Sequence, residues 1–367
     1  MNTKSQPWIM NGYADFFGLF LVPFLFIFLA LAKSPPFDSP NSKFLGFCVL
    51  LVLIIDWAHI FAQYPRIFSN PLESKLNKWL YPISYLILLP LMTILLNFFS
   101  VTFIDTLLVY FVVFHFIKQH FGFVKIFSKT DGVKTIWEKR FEDLFIYLTM
   151  WAPVIYWHSA PFGYNYKWVN LFIKIPGIEI ISNFVFVIYG LSFLNYIRIE
   201  FARYKKDHFF NIPKNLSILS AILGWGIVSI LSDSTSLVIF TVTLTHDLSY
   251  TYLVWVIGRR DKKILDNKLK FFSWNSIGGF FFYVTCLVLI SHAIMIAHLE
   301  LAKDLNWNYI IYGKFFNFLK SDSEWLTNFG WSLFFATQAH HYFIDRFLWK
   351  KEKDLEYMVK TGKFSLP

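Results

Sequence analysis

A chain of 367 residues that is 56% hydrophobic, 21% aromatic and only 16% charged, with mean hydropathy +0.47, falls outside the ordinary soluble classes. Its net charge of +10 would suggest a nucleic-acid partner in a soluble domain, but here the basic residues lie in loops between apolar runs, as cytoplasmic loops do, and no nucleic acid is expected. Cys48 and Cys286 both sit inside apolar runs, which excludes a disulfide framework and any CxxC motif.

Apolar runs of about 20 residues match a hydrocarbon core of ~30 Å. In chain order they predict ten transmembrane helices, at 14–33, 44–63, 79–99, 101–124, 141–158, 179–198, 215–231, 235–258, 277–298 and 329–349. The predicted class is therefore an all-α polytopic membrane protein, with residues 1–367 forming one helical domain. The first run ends in "ALA" before Lys33, like a signal-peptide cleavage site, but its length favours a retained span. Loop charge orients the map. The side carrying the N-terminus receives 26 Lys and Arg, from 64–78, 125–140, 198–214, 259–270, 346–363 and Lys4, while the other receives 7. Both termini are thus predicted cytoplasmic, and the expected location is a bacterial inner membrane. The loops "RIEFARYKKDH" and "GRRDKKILDNK" read as solvated faces near anionic lipid.

Six of the ten histidines fall in even-numbered spans: His59, His115, His120, His246, His340 and His341. All even spans run the same way, which puts the six at the membrane centre or in its cytoplasmic half. Asp56, Asp247 and Asp345 accompany His59, His246 and His341. An ionised aspartate at a helix centre costs ~2.5–3.5 kcal/mol, so each is expected to have a partner or a function. Four of the histidines have a hydrogen-bonding side chain four residues on: Gln63, Gln119, Tyr250 and Asp345. That spacing shares a helical face, from which a side chain can fix an imidazole's tautomer or orient a partner on the next helix. His158 and His298 read as interfacial, His292 as structural, His208 as solvated and Lys118 as snorkelling.

The tenth span reads "TQAHHYFIDRFLWKK" over 337–351. Adjacent helical residues point about 100° apart, so His340 and His341 cannot aim alike. His341 shares a face with Gln338 and Asp345 and is the expected ligand; His340 is a ligand to a second metal or a hydrogen-bonded neighbour. Imidazoles with a few carboxylates suit iron, zinc, copper or nickel. In a bilayer, where dioxygen and lipids both dissolve, one or two iron ions bound by these histidines fit oxidation of a lipid or isoprenoid. His59, His115, His246 and His341 would be the ligands, with His120 and His340 available to a second ion. Asp56, Asp247, Tyr250 and Asp345 would be catalytic or supporting groups, and Gln63, Gln119 and Gln338 would lie behind the ligands. An electron-donor protein is allowed for as a partner. A zinc-dependent lipid hydrolase with Asp56 or Asp247 as base, a quinol or haem carrier, and a transporter using the His/Asp cluster as a relay stay open.

Three features carry a family resemblance. "TQAHH" resembles the HxxHH box of membrane fatty-acid desaturases and hydroxylases, without its first histidine. "HFIKQH" resembles some of their first boxes. Four histidines from four helices resemble instead the four-histidine mononuclear iron of carotenoid cleavage enzymes, and the histidine-rich membrane pattern as a whole resembles integral-membrane metal oxidases such as the desaturases and hydroxylases and the bacterial membrane β-carotene dioxygenases. The resemblance implies a membrane-embedded iron oxidoreductase.

The topology is testable with a reporter active only in the periplasm. Fusion after Lys167 is expected to be active and fusion after Lys363 silent. The reverse at either site rules out the map.

Overall fold

The computed structural model describes residues 6–31, 55–64, 67, 75–128, 131, 134–159, 172–231, 241–264, 283–290 and 324–348. Cys48, His292, His298, "GRRDKKILDNK" beyond Ile264 and the external loop up to residue 323 lie outside them. Among the described residues there is no strand, and ten helical stretches overlap the ten apolar runs. They are α1 (12–31), α2 (55–64), α3 (Lys75–Phe98), α4 (Val101–Phe127), α5 (Ile136–Ser159), α6 (Ile178–Asp207), α7 (212–231), α8 (241–264), α9 (283–290) and α10 (Glu324–Leu348). Three segments, Trp79–Phe98, Val101–Phe127 and Ile178–Asp207, are long and apolar enough to cross a membrane. Along α3 and α6 many large apolar side chains are exposed, including Leu86, Ile87, Leu91, Ile180, Phe184 and Leu191.

The chain forms two compact units, Met1–Ala62 with Val112–Val288, and Gln63–Phe111 with Leu289–Pro367. In the first unit α5 packs along α6, and Val124, Phe145, Ile146, Tyr196 and Ile218 form a core cluster. Local chemistry sets the helix ends. Thr135 and Glu138 exchange side-chain bonds to each other's N–H, a reciprocal cap that starts α5. Asn211 accepts from Lys214 N at 3.1 Å and caps α7, with Pro213 in the first turn. His208 closes α6 in the left-handed region at φ 48°, donating its N–H to the Tyr204 carbonyl.

Three helices of this unit contain π stretches, at Phe16–Leu21, Ala221–Ile227 and Leu244–Leu248. Glycines let these helices approach: a Cβ on Gly18 would overlap the Tyr252 ring, and one on Gly224 would meet Thr245 Cγ2 at 3.1 Å. Tyr252 OH also donates to Asp15 Oδ1 at 2.7 Å, tying α8 to α1.

The loop "RIEFARYKKDH" departs from its reading as a solvated face. Lys205 and Lys206 are exposed, but Glu200 and Arg203 enter a buried network with Asp131, Lys134, Glu142 and Lys214. Lys214 is 0% exposed, and its Nζ lies 2.7 Å from Asp131 Oδ2 and 2.6 Å from Glu200 Oε1. Asn211 Nδ2 donates to Asp131 Oδ1 at 2.6 Å, and Tyr196 OH to Asn215 at 2.8 Å. Three carboxylates face three cations, so the cluster is balanced.

In the second unit α3 packs along α10. Leu96, Ile104, Leu108 and Phe335 form one apolar cluster and Ile67, Tyr81 and Ile344 another. Thr93 Oγ1 of α3 also donates to Ser332 Oγ of α10 at 2.7 Å.

Removing one member of a buried ion network strands its partners, at a cost of about 3–5 kcal/mol. Lys214→Ala is therefore expected to lower the thermal midpoint of detergent-solubilised protein strongly. Burial pushes the Asp131 carboxyl up, but Lys214 and Lys134 beside it hold it below its ordinary value. Its stabilising contribution is complete above the unfolded value of ~3.9 and lost as pH falls through the lower folded value. Thermal scans from neutral to acid pH are expected to show a drop below about pH 4 that Asp131→Asn reduces. An unchanged midpoint in Lys214→Ala would contradict the network's role.

Candidate metal centre

In the first unit α2, α4 and α8 bring three of the predicted imidazoles together. His59 and His246 have ring centroids 5.2 Å apart and His115 and His246 5.0 Å apart, each pair edge-on. Asp247 joins them, with Oδ1 3.1 Å from His59 Nδ1 and 3.9 Å from His246 Nε2. Asp56 Oδ1 lies 3.7 Å from the same His59 nitrogen. Asp56, His59 and Asp247 each offer a ligand atom, all within 4.8 Å of one another. Asp247 is 0% exposed, and neither of its carboxylate oxygens makes a hydrogen bond among the described residues. A sealed carboxylate without hydrogen-bond donors is costly unless a cation answers it. Asp56, His59 and Asp247, with the His246 and His115 rings beside them, are donors of the type that suits a transition-metal ion.

Local structure aims these groups. His59 Nδ1 also lies against the backbone carbonyl of Asp56. A proton on Nδ1 satisfies that carbonyl and leaves Nε2 with its lone pair for a metal. His246 and Asp247 sit inside the π stretch Leu244–Leu248, a distortion common at functional sites. Two side chains of α4 hold that turn: Gln119 Nε2 donates to the His246 carbonyl at 3.0 Å, and Phe116 stacks on the His246 ring at 3.8 Å. Gln119 thus orients a partner on the next helix rather than its own His115. Tyr250, four residues beyond His246, has its ring edge-on to His59 of α2 at 6.0 Å, so it too meets a partner on another helix.

His120 does not join this group. Five residues beyond His115, it points about 140° away around α4. It lines a separate small cavity against Phe123 and Phe127.

The second unit holds the α10 pair, and the two histidines part as their 100° offset requires. His340 is caged: Tyr64 OH lies against Nδ1, while Nε2 lies 2.8 Å from the Tyr81 carbonyl and 3.0 Å from Ser84 Oγ. A carbonyl only accepts, so Nε2 carries the proton and Nδ1 receives the tyrosine's. Tyr85 adds an edge-on ring at 5.3 Å. His341 turns to another side, where Gln63 Nε2 lies 3.3 Å from its Nδ1 and Asp345 Oδ2 3.8 Å from its Nε2. Gln338 accepts from Tyr342 OH at 3.1 Å.

Away from these groups, Lys118 Nζ donates to Tyr147 OH at 2.8 Å, and His158 Nδ1 lies 2.6 Å from the Ile173 carbonyl. His208 is exposed. Sequence reasoning missed the His340 cage and the Phe116 stack. One sign of the cage was available, since Tyr64 directly follows Gln63; Tyr81 and Ser84 act through helix α3, which carried no marker.

With both His340 nitrogens in hydrogen bonds, His340→Ala is expected to cost about 1–3 kcal/mol and Tyr64→Phe about 1 kcal/mol. Thermal unfolding in detergent reads the stability, and metal analysis of the same samples should show no change. Loss of metal in His340→Ala would show a ligand rather than a packed, bonded side chain.

The chain matches no family model, no characterised protein and no solved structure.

Proposed function

We propose that this protein is an integral membrane, non-haem iron-dependent oxidoreductase that acts on a lipid or isoprenoid. Ten spans with both termini in the cytoplasm, in a bacterial inner membrane, would place the His/Asp centre within the bilayer. The observation that carries the reading is the convergence of His59, His246, His115 and Asp247, with Asp56 beside them and Asp247 buried without hydrogen bonds. Imidazoles with a carboxylate are the ligand type of non-haem iron.

His59, His246, His115 and Asp247 would hold the ion. Bound iron would supply the oxidising power for dioxygen chemistry on C–H or C=C bonds, the part of the reaction that side chains cannot provide. The chain's own residues have four tasks. The Asp56 carbonyl holds the proton of His59 on Nδ1. Gln119 and Phe116 fix the turn that presents His246 and Asp247. Tyr250, buried and edge-on to His59, shuts water from that face. Asp56, partly exposed at 31%, is the group able to exchange protons with an incoming substrate or water. That same partial exposure favours Asp56 as general base if the ion is zinc, and a lipid hydrolase is therefore the second reading.

Purified protein from iron-rich medium is expected to carry iron, measured by mass spectrometry, with no haem band in the visible spectrum. His59→Ala and Asp247→Asn should lose it, and Gln119→Ala should weaken metal affinity roughly 10–100-fold. Stoichiometric zinc with negligible iron would turn the reading to the hydrolase. No metal of any kind would end it.

A further inference from the structure

His120 and its cavity stand apart from the centre. Five polar residues line it: His120 from α4, Ser217 and Ser220 from α7, and Thr245 and Ser249 from α8. His120 is 5% exposed and Ser220 4%, and neither makes a hydrogen bond among the described residues. Two sealed polar groups facing a shared void are the setting in which proteins keep internal water.

The other three hydroxyls define the guest. Ser217 Oγ donates to the Pro213 carbonyl at 3.0 Å, Thr245 Oγ1 to Val242 at 2.8 Å and Ser249 Oγ to Leu19 at 3.3 Å. Their protons are spent, so they offer the cavity lone pairs only. An anion would find no donor beyond His120 and Ser220 and no cation. A metal ion would find no carboxylate. Of the charged groups described on these helices, Asp15 pairs with Tyr252, Lys118 with Tyr147, Lys125 with Asp143 and Lys214 with the ion network, while Asp247 stands beside His59 at the centre. A small neutral donor remains, and water is the one that fits.

The cavity abuts the turn that carries the centre. Thr245 precedes His246, and Gln119, which precedes His120, holds the His246 carbonyl.

We propose that this cavity is a built water site and that His120 is a proton-exchange station beside the metal centre, not one of its ligands; the metal in that statement rests on the function proposed above. Water accepts a proton from the imidazolium or gives one to the neutral ring, and the hydroxyl lone pairs keep it oriented. His120 is thus a positioning and relay residue that need not touch substrate.

The experiment uses the full chain in detergent micelles. Radiolytic hydroxyl-radical footprinting in ¹⁸O-water should label Phe123 and Phe127, which line the cavity, well above Phe145, which is buried in the α5–α6 core, and the excess at Phe127, 1% exposed against 0% for Phe145, is the part that surface exposure does not explain. Ser220→Leu, which fills the void, should abolish that excess, and Ser220→Val serves the same purpose if the larger side chain prevents folding. Deuterium exchange at the imidazole C2 position should be faster at His120 than at the caged His340, with a sigmoidal pH profile. His120→Gln should keep wild-type metal content. Labelling of Phe123 and Phe127 no greater than that of Phe145, or exchange at His120 as slow as at His340, would overturn the water site. Metal loss in His120→Gln would overturn the relay assignment and make His120 a ligand. If wild-type protein carries no metal, the function proposed above fails, while the footprinting and exchange results still decide the water site.

Discussion

The cost of sealing a polar or charged group inside an apolar chain governs this structure. With 56% of its residues hydrophobic, the chain has little internal polarity to spend on solvation. Each buried ionisable side chain must find a partner, shed its charge or bind something that supplies one. Lys214 takes the first route, between Asp131 and Glu200. His340 takes the second, as a neutral ring whose nitrogens are occupied by Tyr64 and the Tyr81 carbonyl. Asp247 has an imidazole 3.1 Å away but no hydrogen bond on its carboxylate, and a bound cation is the partner proposed for it.

The same comparison separates the histidines, which look alike in sequence. Those of the centre face one another and two carboxylates; His340 faces hydroxyls and a carbonyl; His120 faces hydroxyls that have given their protons away. An imidazole can coordinate, pack or relay, and the neighbours decide which. The carboxylate network of Asp131, Glu142 and Glu200 makes the converse point: three acids converge there, but three cations already satisfy them.

The helices of the first unit gain their precision from irregularity. The π stretch at Leu244–Leu248 presents His246 and Asp247 in succession and requires side-chain support from Gln119 and Phe116. Gly18 and Gly224 let neighbouring helices close in on α8. Tyr250, in the regular helix that follows, sets its ring edge-on to His59.

Runs of apolar residues determined the helices, because hydropathy and length act locally and a helix satisfies its own backbone. The same local reading marked His59, His115, His246, Asp56 and Asp247, since ionisable groups in such runs are conspicuous. It also gave the 100° parting of His340 and His341. What it did not contain was the rotation of each helix about its axis. That rotation sends His115 toward His246 and His120 into a cavity. Lys214 shows the limit most plainly. In sequence it is one more basic residue at the edge of a loop, indistinguishable from the exposed Lys205. Its partner Asp131 is 83 residues away, and only packing, which seals both from water, turned a solvated charge into the hub of a network.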